Sequence, residues 1–185
     1  MGIEFIGRWL GRPGKPASNA TEDEGRANPE DAESQFSLGR RCAAGESVDQ
    51  DFGQAAVWYL KAAAQGHCVA QFSLGLMYGQ GQGVLRNEVT AAMWLRRAAD
   101  LGHAGAQYHL GVRLHHASKR GLKADASERR IDALKWLQLA VSQGYRGAES
   151  AREFVALNMS REEVDESSRR ALAFTSSLVT PAAAA

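Results

Sequence analysis

The sequence predicts an all-α protein, a short right-handed α-solenoid of about three helix-pair repeats that ends in a C-terminal capping helix. The phrase QFSLG occurs at 35–39 and at 71–75, and a near copy, QYHLG, follows at 107–111, so each copy begins 36 residues after the previous one. Apolar positions inside each repeat are spaced by three and four residues, which is typical of amphipathic helices. Because such a helix pair cannot bury its apolar face alone, successive pairs stack.

The register of the repeat defines the units. Trp58 and Trp94 are 36 residues apart, whereas Trp136 follows after 42, so the third unit carries six additional residues. The tryptophans are expected to pack against the neighbouring unit in the core. The first helix of a fourth unit is expected from Ala148 to about Asn158. The predicted units are residues 32–67, 68–103 and 104–145.

Local signals predict where helices begin and end. In the second unit, Asn87 is expected to cap the N-terminus of the second helix, and Gly102 is expected to end that helix in the left-handed conformation. The closing helix is expected to begin at Ser160, because Ser160 and Glu163 have the spacing of a capping box. Both kinds of signal agree with the apolar periodicity.

The composition limits the classes of function. Hydrophobic residues make up 44%, charged residues 23%, and the formal net charge is +1, as in a soluble globular protein without a general attraction to nucleic acid. No apolar run approaches the roughly 18 residues of a membrane span. The cysteines Cys42 and Cys68 are too few for a disulfide framework or a thiolate metal site, and the first residues lack the apolar stretch of a signal peptide. We therefore expect a cytoplasmic protein.

The segment before the repeats has its own apolar cluster. Residues 1–28 are expected to be flexible, 29–174 to form the repeat domain, and 175–185 to be a disordered tail. An apolar cluster without a burial site seeks a partner. We expect it to dock on the first repeat or to contact another protein, ahead of lying on a membrane surface. The cluster consists of Ile3, Phe5, Ile6, Trp9 and Leu10, and the stretch GRPGKP separates it from the repeats.

The repeated residues resemble the Sel1-like repeat, a relative of the tetratricopeptide repeat. The shared pattern is A-x-x-x-L-G-x-x-Y-x-x-G-x-G-V, then A-x-x-W-x-x-x-A-A-x-x-G. The first unit departs from it at Ser34 and Cys42, and the third at Leu114 and in its Lys- and Arg-rich insertion. The resemblance implies a scaffold that holds other proteins together, often in bacterial signalling, envelope or host-contact settings. It does not imply a catalytic activity, and it does not name a partner. The second unit matches at Ala70, Leu74, Gly75, Tyr78, Gly81, Gly83, Val84, Ala91, Trp94, Ala98, Ala99 and Gly102.

Motifs that would carry chemistry are missing from the sequence. The stretch G-x-G-x-G at 79–83 follows a helix and lacks G-K-[ST], so it is predicted to be a repeat turn and not a phosphate loop. His109 and His116 lie about 10 Å apart along one helix, too far to share a zinc ion. No S-x-x-K, G-x-S-x-G or H-E-x-x-H occurs. We predict no catalytic residue, no cofactor and no metal.

The predicted binding surface is the concave groove lined by the first helices. With Ser34, Ala70 and Ala106 as position one of each unit, positions four, seven, eight and eleven are expected to face this groove. The groove would be basic at its ends and apolar in its middle, and would bind an extended or helical peptide with acidic groups. The predicted partner-binding residues are Arg40, Arg41, Leu76, Met77, His109, Arg113 and His116.

Two other functions stay open at this stage. The first is an enzyme, or an accessory to one, that acts on a cell-wall or carbohydrate substrate. It would need carboxylates clustered in the groove, whereas Asp49, Asp51 and Glu88 fall in turns. The second is a structural protein that self-associates through the N-terminal apolar segment, which light scattering with and without residues 1–20 would test.

Overall fold

Eight α-helices and no strand form the part of the chain that the computed structural model describes, residues 30–45, 49–120 and 123–179. The predicted all-α class is confirmed. The N-terminal apolar cluster lies outside the described residues. In chain order the helices are α1 (Ala32–Ala44), α2 (Phe52–Ala64), α3 (Cys68–Gln80), α4 (Glu88–Asp100), α5 (Ala104–Arg120), α6 (Lys123–Ser142), α7 (Ala148–Ala156) and α8 (Arg161–Val179).

The predicted helix ends are confirmed. The Asn87 side chain accepts the N–H of Thr90 at 3.0 Å, which caps α4. Gly102 has a φ of 87°, in the left-handed region that favours glycine after a helix. At the start of α8, the Ser160 N–H donates to Glu163 Oε2 at 2.9 Å and the Glu163 N–H donates to Ser160 Oγ at 3.2 Å, which completes the capping box.

Two histidines cap the first helices of the second and third units. Nδ1 of His67 accepts the N–H of Ala70, and Nδ1 of His103 accepts the N–H of Ala106, each at 3.1 Å. The His103 ring also stacks on Phe72, with centroids 4.4 Å apart. The repeated histidine is therefore structural, as its recurrence in the sequence predicts, and it joins each unit to the next.

The two helices of each unit approach closely at the glycine of the repeated phrase. A Cβ atom at Gly75 would lie 2.7 Å from Leu95 Cγ, and one at Gly111 would lie 2.8 Å from Leu137 Cγ. Real Cβ atoms do not come this close to neighbouring carbons, so any larger residue would force α4 away from α3 or α6 away from α5. Trp94 and Trp136 are buried beside these contacts, as predicted. Trp58 is only half-buried, so the prediction of a core position is wrong for this tryptophan.

The third unit has longer helices than the second. α5 has 17 residues and α6 has 20, whereas α3 and α4 have 13 each. The additional residues therefore lengthen both helices instead of forming a longer loop. The stretch 117–130 is rich in Ala, Lys, Arg and Glu, which favour helix. The unit projects beyond its neighbours at this end.

The closing helix lies on the back of the third unit and not at the end of the stack. α8 packs along α6: Arg170 Nη1 donates to Glu128 Oε1 at 2.6 Å and to Asp132 Oδ1 at 3.1 Å. The Phe174 ring meets Trp136 edge-on at 5.2 Å. α8 runs to Val179, so the prediction of a disordered tail from residue 175 is wrong for residues 175–179.

Within the described ranges, every helix is too short or too polar to cross a bilayer.

Candidate partner-binding surface

The first helices lie next to one another on one side of the stack. α3 contacts α5 directly and α5 contacts α7, whereas successive second helices come less close. Helices on the inner side of a curved stack are the ones that converge, so α3, α5 and α7 are assigned to the concave side. The repeat register places α1, the first helix of the first unit, with them. The sequence register that begins at Ser34, Ala70 and Ala106 continues at Ala148 in α7.

Position seven of the four first helices forms a row across this side, which we call the first-helix row. Its members are Arg40, Leu76, Val112 and Phe154. Arg40 is exposed, Leu76 and Val112 are half-buried, and Phe154 is 54% exposed. The row is therefore basic at one end and apolar along the rest, with its largest apolar side chain at the far end.

Phe154 is the residue of this surface that sequence reasoning missed. Phe154 follows Val112 by 42 residues, which is the length of the third unit. Extending the repeat register into α7 therefore identifies Phe154 as position seven. Lys119 Nζ lies 5.1 Å from the centre of the Phe154 ring, a cation–π contact. The His115 ring meets the same ring edge-on at 5.6 Å. An exposed aromatic ring thus stands beside an exposed ammonium group.

The prediction that Met77 forms the floor of the groove is wrong. Met77 is 5% exposed and packs in the core with Leu74 and Trp94. The reason is geometric: position eight follows position one by seven residues, about two helical turns. Both positions therefore face the same way, toward the core, as Ala70 does.

Arg113 also occupies position eight, and its guanidinium makes contacts within the chain. It pairs with Glu88 at the start of α4 and lies against Gly79, where a Cβ atom would meet it. Glu88 also accepts from Arg86 Nη2 at 2.7 Å, and this hydrogen bond lowers the pKa of Glu88. Arg113 therefore links the second unit to the third instead of standing free for a partner.

The two predicted histidines differ in their surroundings. His109 is half-buried, with its ring 5.2 Å from Tyr108 and 5.8 Å from Phe72. Burial lowers the pKa of His109, and the charge of Arg113 lowers it further, so the ring is neutral at neutral pH. His116 is exposed on α5, while its neighbour His115 is buried. His116 is accessible to a partner and His109 is a packed ring.

The predicted arginines at the N-terminal end also divide into an exposed and a half-buried one. Arg40 is exposed, and Arg41 is half-buried in the last turn of α1, where its charge complements the helix dipole. Of these two arginines, Arg40 is thus the one that presents its charge to the concave side.

The titratable side chains outside the first-helix row were the other candidates for a site. No group of three or more His, Cys, Asp or Glu side chains with metal-binding geometry occurs among them. Burial raises the pKa of the Cys42 and Cys68 thiols, which keeps them protonated and weakly nucleophilic. The acidic depression between α6 and α8 consists of paired charges, such as Arg130 with Glu163 at 2.6 Å.

Three consecutive segments match one repeat family. The model of the Sel1 repeat matches residues 32–67, 68–103 and 104–145, the units predicted from the sequence and together more than half of the chain. The chain belongs to the Sel1 repeat family. Its second Sel1 repeat is the most regular, and its third carries the lengthened helices.

Solved structures of Sel1 repeat proteins are similar to this chain. A Sel1 repeat protein from Oxalobacter formigenes is 32% identical, with a TM-score of 0.59, over 72% of this chain and 51% of that protein. The protective antigen c5321 of uropathogenic Escherichia coli, which displays an SLR fold, is 22% identical, with a TM-score of 0.48, over 76% of this chain and 39% of that one. The chain thus spans about half the length of the Oxalobacter formigenes protein and less than half the length of c5321. No curated protein matches it.

After the three matched repeats, α7 keeps part of the repeat pattern and departs from the rest. α7 keeps its inward face, where Ala148 and Val155 are buried. At the positions of the repeated Leu-Gly, however, it has Arg152 and Glu153. The stack of Sel1 repeats therefore ends on a polar helix face, while Phe154, on a different side of the same helix, remains part of the concave surface.

Proposed function

We propose that this Sel1 repeat protein is a non-catalytic scaffold whose first-helix row binds a segment of another protein. Sel1 repeat proteins generally act as protein-interaction scaffolds. The observation that carries the proposal for this chain is Phe154, an aromatic ring more than half exposed at the end of the row, with Lys119 beside it. Exposed aromatic residues next to a cation are typical of the few residues that dominate binding energy at protein interfaces.

The composition of the row defines the segment it would take. Leu76, Val112 and Phe154 offer apolar contacts, and Lys119 and Arg40 offer positive charge at the two ends. If neighbouring first helices are about 10 Å apart, four of them cover about 30 Å. An extended segment of roughly nine residues spans this distance at about 3.3 Å per residue. The proposed partner segment is apolar in its middle and acidic at one or both ends.

Selection followed by substitution tests this proposal. Peptides of twelve residues would be selected from a random display library on the full-length protein, and their affinity would be measured by fluorescence anisotropy. We expect Phe154→Ala to weaken binding by about tenfold or more, and Lys119→Ala to weaken the binding of acidic peptides in a salt-dependent way. Circular dichroism of both variants should match that of the unchanged protein.

The matched control is Leu172→Ala, which removes an exposed leucine of α8 on the opposite side of the stack. Its affinity should equal that of the unchanged protein. If Leu172→Ala weakens binding as much as Phe154→Ala does, or if Phe154→Ala has no effect, then the first-helix row is not the binding surface.

A further inference from the structure

The outer face of α4 is apolar and exposed to solvent. Leu85 in the turn before this helix is 64% exposed, and on the helix itself Val89 is 78% and Met93 is 43% exposed. Val89 and Met93 are four residues apart and so lie on the same side of α4. We call these three residues the α4 outer face; it lies on the second helix of its unit, away from the first-helix row.

The same face of the third unit is covered by a helix of this chain. The residues of α6 that follow Leu85, Val89 and Met93 by 42 positions are Ser127, Ile131 and Lys135. All three meet or lie beneath α8. Ser127 Oγ donates to Glu163 of α8, Ile131 is 8% exposed, and Lys135 Nζ lies 5.0 Å from the centre of the Phe174 ring. The repeat thus provides a helix-binding site at this position, filled in the third unit and empty of any described helix in the second.

The first unit does not offer the same face. Its residues at these positions are Asp49, Gly53 and Val57, an acid, a glycine and a half-buried valine. In addition, the turn at Gly83 packs against the backbone of Phe52 and Gly53. Among the three second helices, α4 alone therefore combines an apolar outer face with no covering helix in the described residues.

We propose that residues 3–10 of this chain pack as a helix on the α4 outer face, as α8 packs on α6. If helical, the segment IEFIGRWL presents Ile3, Ile6 and Leu10 on one side together with Phe5 and Trp9, and leaves Glu4 and Arg8 on the other. The apolar side of such a helix would contact the α4 outer face, and its charged side would remain in solvent.

The connecting chain is long enough for this placement. The Glu30 carbonyl accepts from Gln65 Nε2 at 2.7 Å, which fixes the start of the described chain at the C-terminal end of α2. From there, the α4 outer face is about 30 Å away, given helices of about 20 Å length packed about 10 Å apart. Residues 11–29 extend to about 60 Å at most, and a flexible chain of this length has an average span of about 25 Å.

Attachment within one chain favours this occupant over a second copy or a membrane. A segment tethered by a short linker faces its site at an effective concentration in the millimolar range, far above the concentration of a second copy in solution. A membrane-bound helix gains from basic residues on its polar side, and here Arg8 is matched by Glu4.

Methionine methyl NMR on the full-length protein tests the proposal, because the chain has four methionines and Met93 is the one on the α4 outer face. With ¹³C-methyl methionine, aromatic rings packed on Met93 shift its methyl resonance upfield. The double replacement of Phe5→Leu and Trp9→Leu should move the Met93 resonance downfield and leave Met77 and Met159 in place. Arg8→Ala, on the other side of the segment, should leave all of them unchanged.

Three outcomes would overturn the proposal. The first is a Met93 resonance that does not respond to the double replacement. The second is a response that disappears on tenfold dilution while light scattering reports a dimer turning into a monomer, which would assign the face to a second copy. The third is sedimentation of the protein with phosphatidylglycerol vesicles that depends on Trp9 while Met93 stays unchanged. A response that persists on dilution of a monomer supports the proposal, whether or not the first-helix row binds a peptide.

Discussion

α5 and α7, the first helices of the third and fourth units, pack in the same way on the preceding unit. They differ on the face that is directed toward the helix that follows. α7 packs against α6 as α5 packs against α4. On its other face α5 has Leu110 and Gly111, and α6 packs directly on that glycine. α7 has Arg152 and Glu153 at the same positions, and the helix that follows packs along α6 instead.

This difference shows what makes a repeat continue and what makes it stop. The face toward the preceding unit needs small and apolar residues, and both helices have them. The face toward the partner helix of the same unit needs leucine and a glycine that permits close approach, and only α5 has them. At α7, where Arg152 and Glu153 replace the Leu-Gly of the repeated phrase, the stack ends on a polar face.

The largest expected effect comes from filling the close contact in α5. At Gly111 a Cβ atom would lie 2.8 Å from Leu137 Cγ and 2.9 Å from the Ala133 carbonyl oxygen. Gly111→Ala should therefore lower the free energy of unfolding by about 2 to 3 kcal/mol, because the overpacking outweighs the better helix propensity of alanine. Urea unfolding followed by circular dichroism measures this change.

The matched change in α7 is Glu153→Ala at the corresponding exposed position. It should alter the free energy of unfolding by no more than about 0.5 kcal/mol. Equal effects of Gly111→Ala and Glu153→Ala would show that the two faces do not differ as described.

The attachment of α8 to α6 is expected to depend on one of two adjacent arginines. Arg170 donates to Glu128, Asp132 and Glu166, at 2.6, 3.1 and 2.8 Å. Among the described residues, Arg169 pairs only with Glu166, and its side chain is 75% exposed. Arg170→Ala should cost about 1 to 2 kcal/mol of unfolding free energy, and Arg169→Ala less than about 0.5 kcal/mol.

Salt separates the electrostatic part of this effect from packing. High salt should narrow the difference between the Arg170→Ala variant and the unchanged protein. A difference that does not depend on salt would assign the loss to the packing of the arginine side chain on α6 instead.

The sequence predicted the units and most helix ends because these depend on local residues. Asn87 caps a helix through its own backbone neighbours, and Ser160 with Glu163 forms a closed local motif. The position of α8 was not predictable in the same way. Its apolar periodicity shows that one face is buried but does not name the helix that buries it, and only the folded chain brings Phe174 to Trp136.

The surroundings of the candidate surface residues could be predicted only in part. The choice of the first helices as the binding surface stays a prediction, and of its residues Arg40 and Leu76 lie in the first-helix row. Met77 was assigned to the groove although position eight faces the core. The pairing of Arg113 with Glu88 joins residues 25 apart in different units, which no local pattern reveals.

The junctions between units should differ in their response to pH. Nδ1 of His103 accepts a backbone N–H, which requires an unprotonated Nδ1, and burial lowers the pKa of His103 below its ordinary value. In the unfolded chain the same histidine takes up its proton at a higher pH, so stability falls as the pH drops below about 6.5. α7 has no side-chain cap at Gly147, and that junction should not titrate in this way.

His103→Asn keeps a good helix cap and removes the titrating group. Its loss of unfolding free energy between pH 7.5 and 5.5 should be smaller than that of the unchanged protein by up to about 1 kcal/mol. The remaining pH dependence comes in part from His109 and His115, whose pKa values burial also lowers. Identical pH profiles of the two proteins would rule out a contribution from the His103 cap.

The smallest expected effect concerns a hydrogen bond that one unit lacks. In the first unit Gln65 Nε2 donates to Gln35 Oε1 at 2.9 Å, and in the third Gln143 Nε2 donates to Gln107 Oε1 at 2.8 Å. These pairs occupy equivalent positions of the repeat. The glutamine of the repeated phrase is thereby linked to the residue that follows the second helix of its own unit.

In the second unit Leu101 stands where the donor would be. Gln71 Oε1 is buried and has no hydrogen-bond donor among the described residues, and Leu101 is exposed. Leu101→Gln should supply the donor and raise the unfolding free energy by about 0.5 to 1 kcal/mol. Leu101→Ala removes the same exposed leucine without adding a donor, so it should give no such gain. Equal stabilities of the two variants in urea would mean that the glutamine pairs of the first and third units contribute no net stability.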